Sequence, residues 1–161
     1  IINDISGGGP DMLMYDLVAE KSVAYILMHM QGTPKDMQHR PVYSNVIDDI
    51  TEWFNSRIVE LKQREVTDII IDPGFGFGKT VDQNYQMLNN LECFKDIGFP
   101  VLAGLSRKSM IWKRLDITPE ESLNATTALN MIALNNGASI LRVHDVKDAV
   151  ETVKLHLSLR S

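Results

Sequence analysis

The chain has 161 residues, of which 44% are hydrophobic and 23% charged, the ordinary balance of one soluble domain. A net charge of -5 and a pI near 5.3 argue against a general nucleic-acid surface, so any anion must be met by a local cluster of cations. No apolar run reaches the roughly 18–20 residues needed to span a membrane, and the single cysteine, Cys93, excludes an internal disulfide framework and fits a reducing, cytoplasmic compartment.

In chain order, a β-type run over residues 1–2 ends in Asn3 and Asp4, followed by a glycine turn at Gly7 and Gly8. A second run, 23–28, ends in Met28 and His29, with Met28 expected as core or pocket wall. Ile47, Ile50, Phe54, Ile58 and Leu61 then step by three and four, predicting a covering helix over 45–64 whose solvated face holds Asp48, Asp49 and Glu52. The third run, 69–71, ends in Asp72 and passes into Pro73-Gly74-Phe75-Gly76-Phe77-Gly78-Lys79-Thr80. Cys93 is expected as a packed thiol on a helix. A fourth run, 101–102, leads through Ala103-Gly104-Leu105-Ser106-Arg107-Lys108-Ser109 into a helix start suited to an anion. Thr118-Pro119-Glu120-Glu121 is a capping box opening a helix that Gly137 ends. The fifth run, 140–143, carries Arg142 and His144 to one side, and Asp145 is placed to cap a last helix with Val146, Val150, Val153 and Leu157 as its apolar face.

Short, continuously apolar strands alternating with helices predict a parallel sheet covered by helices. Asn3-Asp4, His29, Asp72, Ser106-Arg107-Lys108 and Arg142/His144 all fall at strand C-terminal ends, and the loops leaving that edge of a parallel sheet converge on one face.

The glycine loop fails two familiar motifs. A phosphate-cradling loop needs Gly-x4-Gly-Lys-Ser/Thr, and Pro73 occupies the first glycine's place; the dinucleotide spacing Gly-x-Gly-x-x-Gly puts its third glycine on Lys79 or Val81. What remains is a strand-end carboxylate beside Phe75 and Phe77. That combination suits a flat, nitrogen-rich ring: the anion accepts paired N–H bonds and the phenyl groups cover a face. The plainer alternative is a strand-ending turn with a helix cap. For Lys108 a solvated helix lysine is the lesser alternative, whereas His144 alone reads more often as a structural strand-end histidine; beside Arg142 it reads as a phosphate clamp. His39 and Arg40, in a loop before Pro41, receive no role. The four histidines show no zinc-ligand spacing.

Ile2-Asn3-Asp4-Ile5-Ser6-Gly7-Gly8, Leu27-Met28-His29-Met30-Gln31-Gly32, Asp72 to Lys79, Gly104 to Ser109 and Arg142-Val143-His144-Asp145-Val146 together resemble the bacterial dihydropteroate synthases, in that family's order and end to end. The glycine loop is shared with wider pterin-binding barrels; the Ser106-to-Ser109 and Arg142-to-His144 segments narrow the resemblance. It implies condensation of 6-hydroxymethyl-7,8-dihydropterin diphosphate with 4-aminobenzoate to 7,8-dihydropteroate, releasing diphosphate. By that pattern Asn3, Met28, Asp72, Gly104 and Lys108 bind the pterin, Arg142 and His144 the diphosphate, and Phe77, Lys79 and Ser106 the 4-aminobenzoate. No residue acts as an acid–base catalyst. The resemblance also implies Mg2+, a homodimer, and no nucleic-acid or membrane partner.

The family builds an eight-stranded α/β TIM barrel, (β/α)8, whereas only five strand–helix units, strand 4 to helix 8, are expected here. The family's Asn-Val-Thr-Pro-Asp-Ser-Phe-Ser loop, whose asparagine binds magnesium, and its Ser-Thr-Arg-Pro-Gly loop with an adjacent pterin-binding aspartate are absent from residues 1–161. Residues 1–161 are therefore expected to be the C-terminal part of a single barrel domain with no second domain and no metal ligand of its own. Isolated, the chain is expected to bind pterin weakly and not to turn over. The alternatives are a pterin-binding corrinoid methyltransferase domain, which leaves Arg142, His144 and Lys108 without a purpose, and a non-catalytic α/β binding module.

Overall fold

Runs with no polar alternation cannot leave one face in water, so they must be covered on both sides. In the computed structural model, which describes residues 1–11, 13–32 and 41–159, they form five parallel strands: β1 (Ile2–Asp4), β2 (Tyr25–Met28), β3 (Ile69–Asp72), β4 (Leu102–Ala103) and β5 (Ile140–Leu141). The register pairs Asn3 with Ile26, Met28 with Asp72, and Leu102 with Ile140; a parallel bridge between Ile71 and Val101 links β3 to the β4–β5 pair. Strand order therefore follows chain order. Between and after the strands lie α1 (Leu13–Lys21), α2 (Val46–Lys62), α3 (Val81–Asn89), α4 (Glu92–Lys95), α5 (Ser109–Leu115), α6 (Leu123–Asn135) and α7 (Val146–Ser158). The architecture is the expected α/β one, a partial (β/α)8 barrel.

Side chains of period two divide between two cores. Tyr25, Leu27, Ile69, Ile71, Val101 and Ala103 face the helices, packing with Ile50, Phe54, Ile58 and Leu61 of α2 and with α3 and α5. Full burial of each such large side chain contributes about 1.5–3 kcal/mol. On the opposite face Ile26, Ile70 and Leu102 form a small second cluster with Ile140. Two residues further along each strand, this inner face carries Met28, Asp72, Gly104 and Arg142.

The helix of 45–64 begins at an Asn45 cap, whose Oδ1 accepts the Ile47 N–H at 3.0 Å, and ends at Lys62. The 118–121 capping box forms, with Thr118 N–H on Glu121 Oε2 at 2.8 Å, but its first turn (Glu120–Ser122) is a 3-10 helix leading into α6. Gly137, at φ +104°, follows the end of α6 as expected. The last helix differs. Ala149, Thr152 and His156 are its buried residues, His156 Nδ1 lying 3.0 Å from Asn135 Oδ1 on α6, while Val146, Val150 and Leu157 are 64%, 45% and 60% exposed. Periodicity finds the helix but not its buried side, because α6 accepts the small and polar stripe. The branched stripe instead lines an apolar groove of about 520 Å³ with Leu141 and Val143, along the edge of β5. Cys93 is also exposed on α4 rather than packed, since Phe94 is the side chain that turns inward there.

Candidate functional site

Asp72 ends β3 on the inner face and is only 3% exposed, opposite Met28 in the register. Its Oδ1 accepts the Gly74 N–H at 2.8 Å, while Oδ2 has no protein partner among the described residues. Burial pushes this carboxyl up; the Gly74 bond and the nearby Lys108, Arg142 and Lys79 cations pull the other way. A carboxylate held in so dry a place, with one oxygen to spare, is set to accept ligand N–H groups.

Close packing between loops explains the alternating glycines. Gly74, at φ +71°, lies where a Cβ would come within 1.9 Å of the His29 carbonyl oxygen, and a Cβ on Gly78, at φ +63°, would meet Gln31 oxygen at 2.3 Å. The close approach expected toward a ligand is therefore made largely to the loop after β2. Tyr43 Oη adds a bond to the Gly78 carbonyl at 2.9 Å. Phe75 is fully buried in the helix-side core and covers no ligand face, which corrects half of the expectation for the two phenylalanines. Phe77 is half-buried with the Lys108 ammonium 4.5 Å from its ring centroid, and Lys108 Nζ also donates to the Phe75 carbonyl. Lys108 is thus part of the site rather than a solvated lysine. Burial lowers its pKa to about 8, with Asp72 opposing the shift and Arg142 adding to it.

Asn84 is a site-shaping residue that the sequence reading does not single out. Buried on α3, it accepts the Gly76 N–H at 2.7 Å and donates to the Thr80 carbonyl at 2.7 Å, tying the loop to the helix that follows. Thr80 and Gln83 form a capping box; that Thr-x-x-Gln spacing is the signal that places α3, and with it Asn84.

Lys79 turns inward. Its Nζ lies 3.0 Å from His29 Nδ1 and donates to the carbonyls of Phe77 at 2.9 Å and Gly74 at 3.2 Å, with 3% of the residue exposed. Burial lowers its pKa to about 7, against Asp72 and reinforced by Lys108; burial and the Lys79 charge press His29 down to about 2, leaving that ring neutral. A pH dependence of stability follows. Between pH of about 7 and the ordinary lysine value of 10.5, the unfolded chain still holds a proton that the folded chain has released. Unfolding then takes up a proton, so the folded state gains stability as pH rises through that window, on the order of a few kcal/mol. Urea unfolding across the window should show this rise, and Lys79→Met should flatten most of it.

At the first strand end, Asn3 is exposed on the inner face, while Asp4 is committed to its own turn. The Asp4 carboxylate accepts Ser6 N–H at 2.8 Å, Ser6 Oγ at 2.6 Å, Gly8 N–H at 2.7 Å and Tyr25 Oη at 2.7 Å. Burial raises its pKa, but these bonds prevail and hold it below the usual value.

The loops after β4 and β5 are joined side chain to side chain. Ser106, 4% exposed, has its Oγ 2.8 Å from His144 Nδ1 and accepts the His144 N–H at 3.2 Å. Arg107, at φ +54°, places a two-pronged guanidinium on the Asp145 carboxylate, both contacts at 2.9 Å, and donates to the Pro119 and Glu120 carbonyls. Asp145 therefore occupies the cap position of α7 without capping it; Arg107 holds its carboxyl below the usual range. Arg142 N–H continues the ladder to the Ala103 carbonyl at 3.0 Å, just past the end of β5, and its guanidinium passes Gly104 at 3.4 Å from where a Cβ would be. Arg142 and His144 lie at this edge, both exposed. The expected pterin and diphosphate residues thus border one face; the polar ends of Lys79 and Ser106 are spent inside the protein. His39 and Arg40 lie outside the described residues.

A buried carboxylate with surrounding cations at the carboxyl edge of a parallel sheet stands where α/β proteins commonly place their ligands. The family model "pterin binding enzyme" matches residues 1–144, and the chain belongs to that family. Dihydropteroate synthase of Escherichia coli strain K12 is 42% identical over 158 residues, covering 96% of this chain and 55% of that protein; the Haemophilus influenzae enzyme is also 42% identical, with 57% of it covered. The Yersinia pestis dihydropteroate synthase structure with a sulfonamide drug complex superposes with a TM-score of 0.95 at 37% identity, over 99% of this chain and 58% of that one. The Xanthomonas albilineans enzyme with 4-aminobenzoic acid gives 0.90 at 34% identity over 99% and 57% of the two chains, and the Thermus thermophilus enzyme in complex with 6HMPPP gives 0.93 at 31% over 99% and 64%. The chain spans little more than half the length of the curated relatives it matches.

Proposed function

We propose that this chain carries the pterin floor and the leaving-group edge of a dihydropteroate synthase, as the last five units of a barrel whose first three lie outside it. The observation that carries this reading is the buried Asp72 carboxylate, paired in register with Met28 and bordered by Lys108 and Arg142. Relatives whose structures hold a sulfonamide drug, 4-aminobenzoic acid and 6HMPPP support it.

In this reading Asp72 accepts the pterin ring N–H and amino groups, Asn3 and Lys108 bond its other edges, and Met28 and Gly104 line the slot. Arg142 and His144 hold the diphosphate. The C–O bond to diphosphate breaks, leaving positive charge on the pterin methylene, which the Asp72 carboxylate stabilises, and negative charge beside Arg142 and His144. The 4-aminobenzoate amine forms the new C–N bond and gives up a proton. Phe77 flanks that second substrate, and Lys79 and Ser106 serve it by shaping the loops around it. Among the described residues no group of three His, Cys, Asp or Glu side chains could hold a metal ion. The family pattern assigns magnesium to an asparagine loop that residues 1–161 do not include, and no step here passes through it. A homodimer, supported by the exposed Leu155 and Leu157, and a cytoplasmic location complete the reading. No helix among the described residues is long and apolar enough to cross a membrane. A corrinoid methyltransferase role finds no use for Arg142, His144 and Lys108.

Calorimetric titration of a dihydropterin diphosphate into the chain tests this. Saturable one-site binding is expected at neutral pH, weakening about tenfold as pH rises past the Lys108 value of about 8 and its ammonium is lost. No binding at neutral pH would overturn the proposal.

A further inference from the structure

Ser106 is almost wholly buried, yet its hydroxyl meets two groups of the same residue across the gap between the loops after β4 and β5. One contact has only one possible sense: the His144 backbone N–H at 3.2 Å donates, so Oγ accepts there. A hydroxyl has a single proton, and at 4% exposure it needs an acceptor within the protein. His144 Nδ1, at 2.8 Å, is that acceptor. Were Nδ1 to carry a proton instead, Oγ would accept twice and its own hydrogen would be stranded without a partner. Among the described residues Ser106 Oγ meets no hydrogen-bond partner other than His144, and beside it the Arg107 fork binds both Asp145 oxygens. That same fork fixes the backbone at 144–145, and with it the height of the ring.

We propose that Ser106 is a positioning residue: it holds the His144 imidazole as the Nε2–H tautomer and so presents an N–H, not a lone pair, to a phosphate oxygen beside Arg142. The consequence for recognition is direct. An imidazole with Nδ1 protonated would aim a lone pair at the anion and repel it, whereas the Nε2–H form donates without the ring having to take up a proton. This rests on the diphosphate reading of Arg142 and His144 only for its ligand; the tautomer is a property of the unliganded chain.

The test is nitrogen NMR of the 161-residue chain with labelled histidine, at a pH where the His144 ring is neutral. His144 should show the shifts and couplings of the Nε2–H tautomer, and the Nδ1–H pattern would overturn the proposal before any variant is made. Ser106→Ala should give a mixture of tautomers and bind inorganic pyrophosphate about fivefold more weakly, the loss of roughly one hydrogen bond, while Ser106→Thr should restore both. An unchanged tautomer and affinity in a folded Ser106→Ala chain would also overturn it. If the wild-type ring is Nε2–H but pyrophosphate does not bind, the diphosphate reading fails and the tautomer assignment stands.

Discussion

Asp72→Asn is expected to weaken dihydropterin binding about 100-fold or more while leaving the chain folded. The carboxylate lies on the inner face with one oxygen on the Gly74 N–H, so the other is the acceptor a ligand meets. Asparagine has the same shape, but it offers either a single neutral acceptor or an amide N–H that opposes the ring's own donors. Losing two charge-assisted bonds, at roughly 1.5–3 kcal/mol each, gives that factor or more. Folding suffers little, because a buried carboxylate costs stability to desolvate, as its raised pKa records. Calorimetry with the wild-type and Asn chains measures the first part and thermal unfolding the second. Equal affinities would remove Asp72 from the pterin floor.

Gly74→Ala should be severely damaging for a single added methyl. A left-handed φ of +71° already costs a non-glycine residue about 1–2 kcal/mol, and the new Cβ would lie 1.9 Å from the His29 backbone carbonyl, which has no rotamer with which to yield. The loops after β2 and β3 must then separate, breaking the contacts of Lys79 with the His29 ring and carbonyl that join them. A loss above about 3 kcal/mol is expected in urea unfolding, together with loss of pterin binding. Gly98→Ala is the control: φ is +93° there, but nothing lies within 4 Å of the added Cβ, so only the backbone strain should appear.

The second expectation turns on a neighbour across loops, and that is where the sequence stops being informative. Strands over 23–28 and 69–71 are legible because burial on both faces of a parallel sheet leaves an unbroken apolar run. Their polar ends are legible because such runs stop where the chain turns over the sheet edge. Asp72, Lys108, Arg142 and His144 can all be singled out in this way. Periodicity, however, says which residues are apolar and not which surface covers them. Phe75 and Phe77 look equivalent in the sequence, yet one is core and the other borders the site. On α7 the branched stripe looks like the buried one, but α6 takes Ala149, Thr152 and His156 instead. Lys79 and Ser106 are legible as polar residues near the site; that their polar atoms are consumed by His29 and His144 depends on partners 50 and 38 residues away.

The most direct measurement is turnover. The chain is assayed for dihydropteroate from dihydropterin diphosphate and 4-aminobenzoate, alone and joined to the N-terminal three strand–helix units of a bacterial synthase. The joined protein should form dihydropteroate, and the chain alone should bind pterin without product. No product from a folded joined protein would contradict the synthase assignment, and turnover by the chain alone would contradict its reading as five units of a larger barrel.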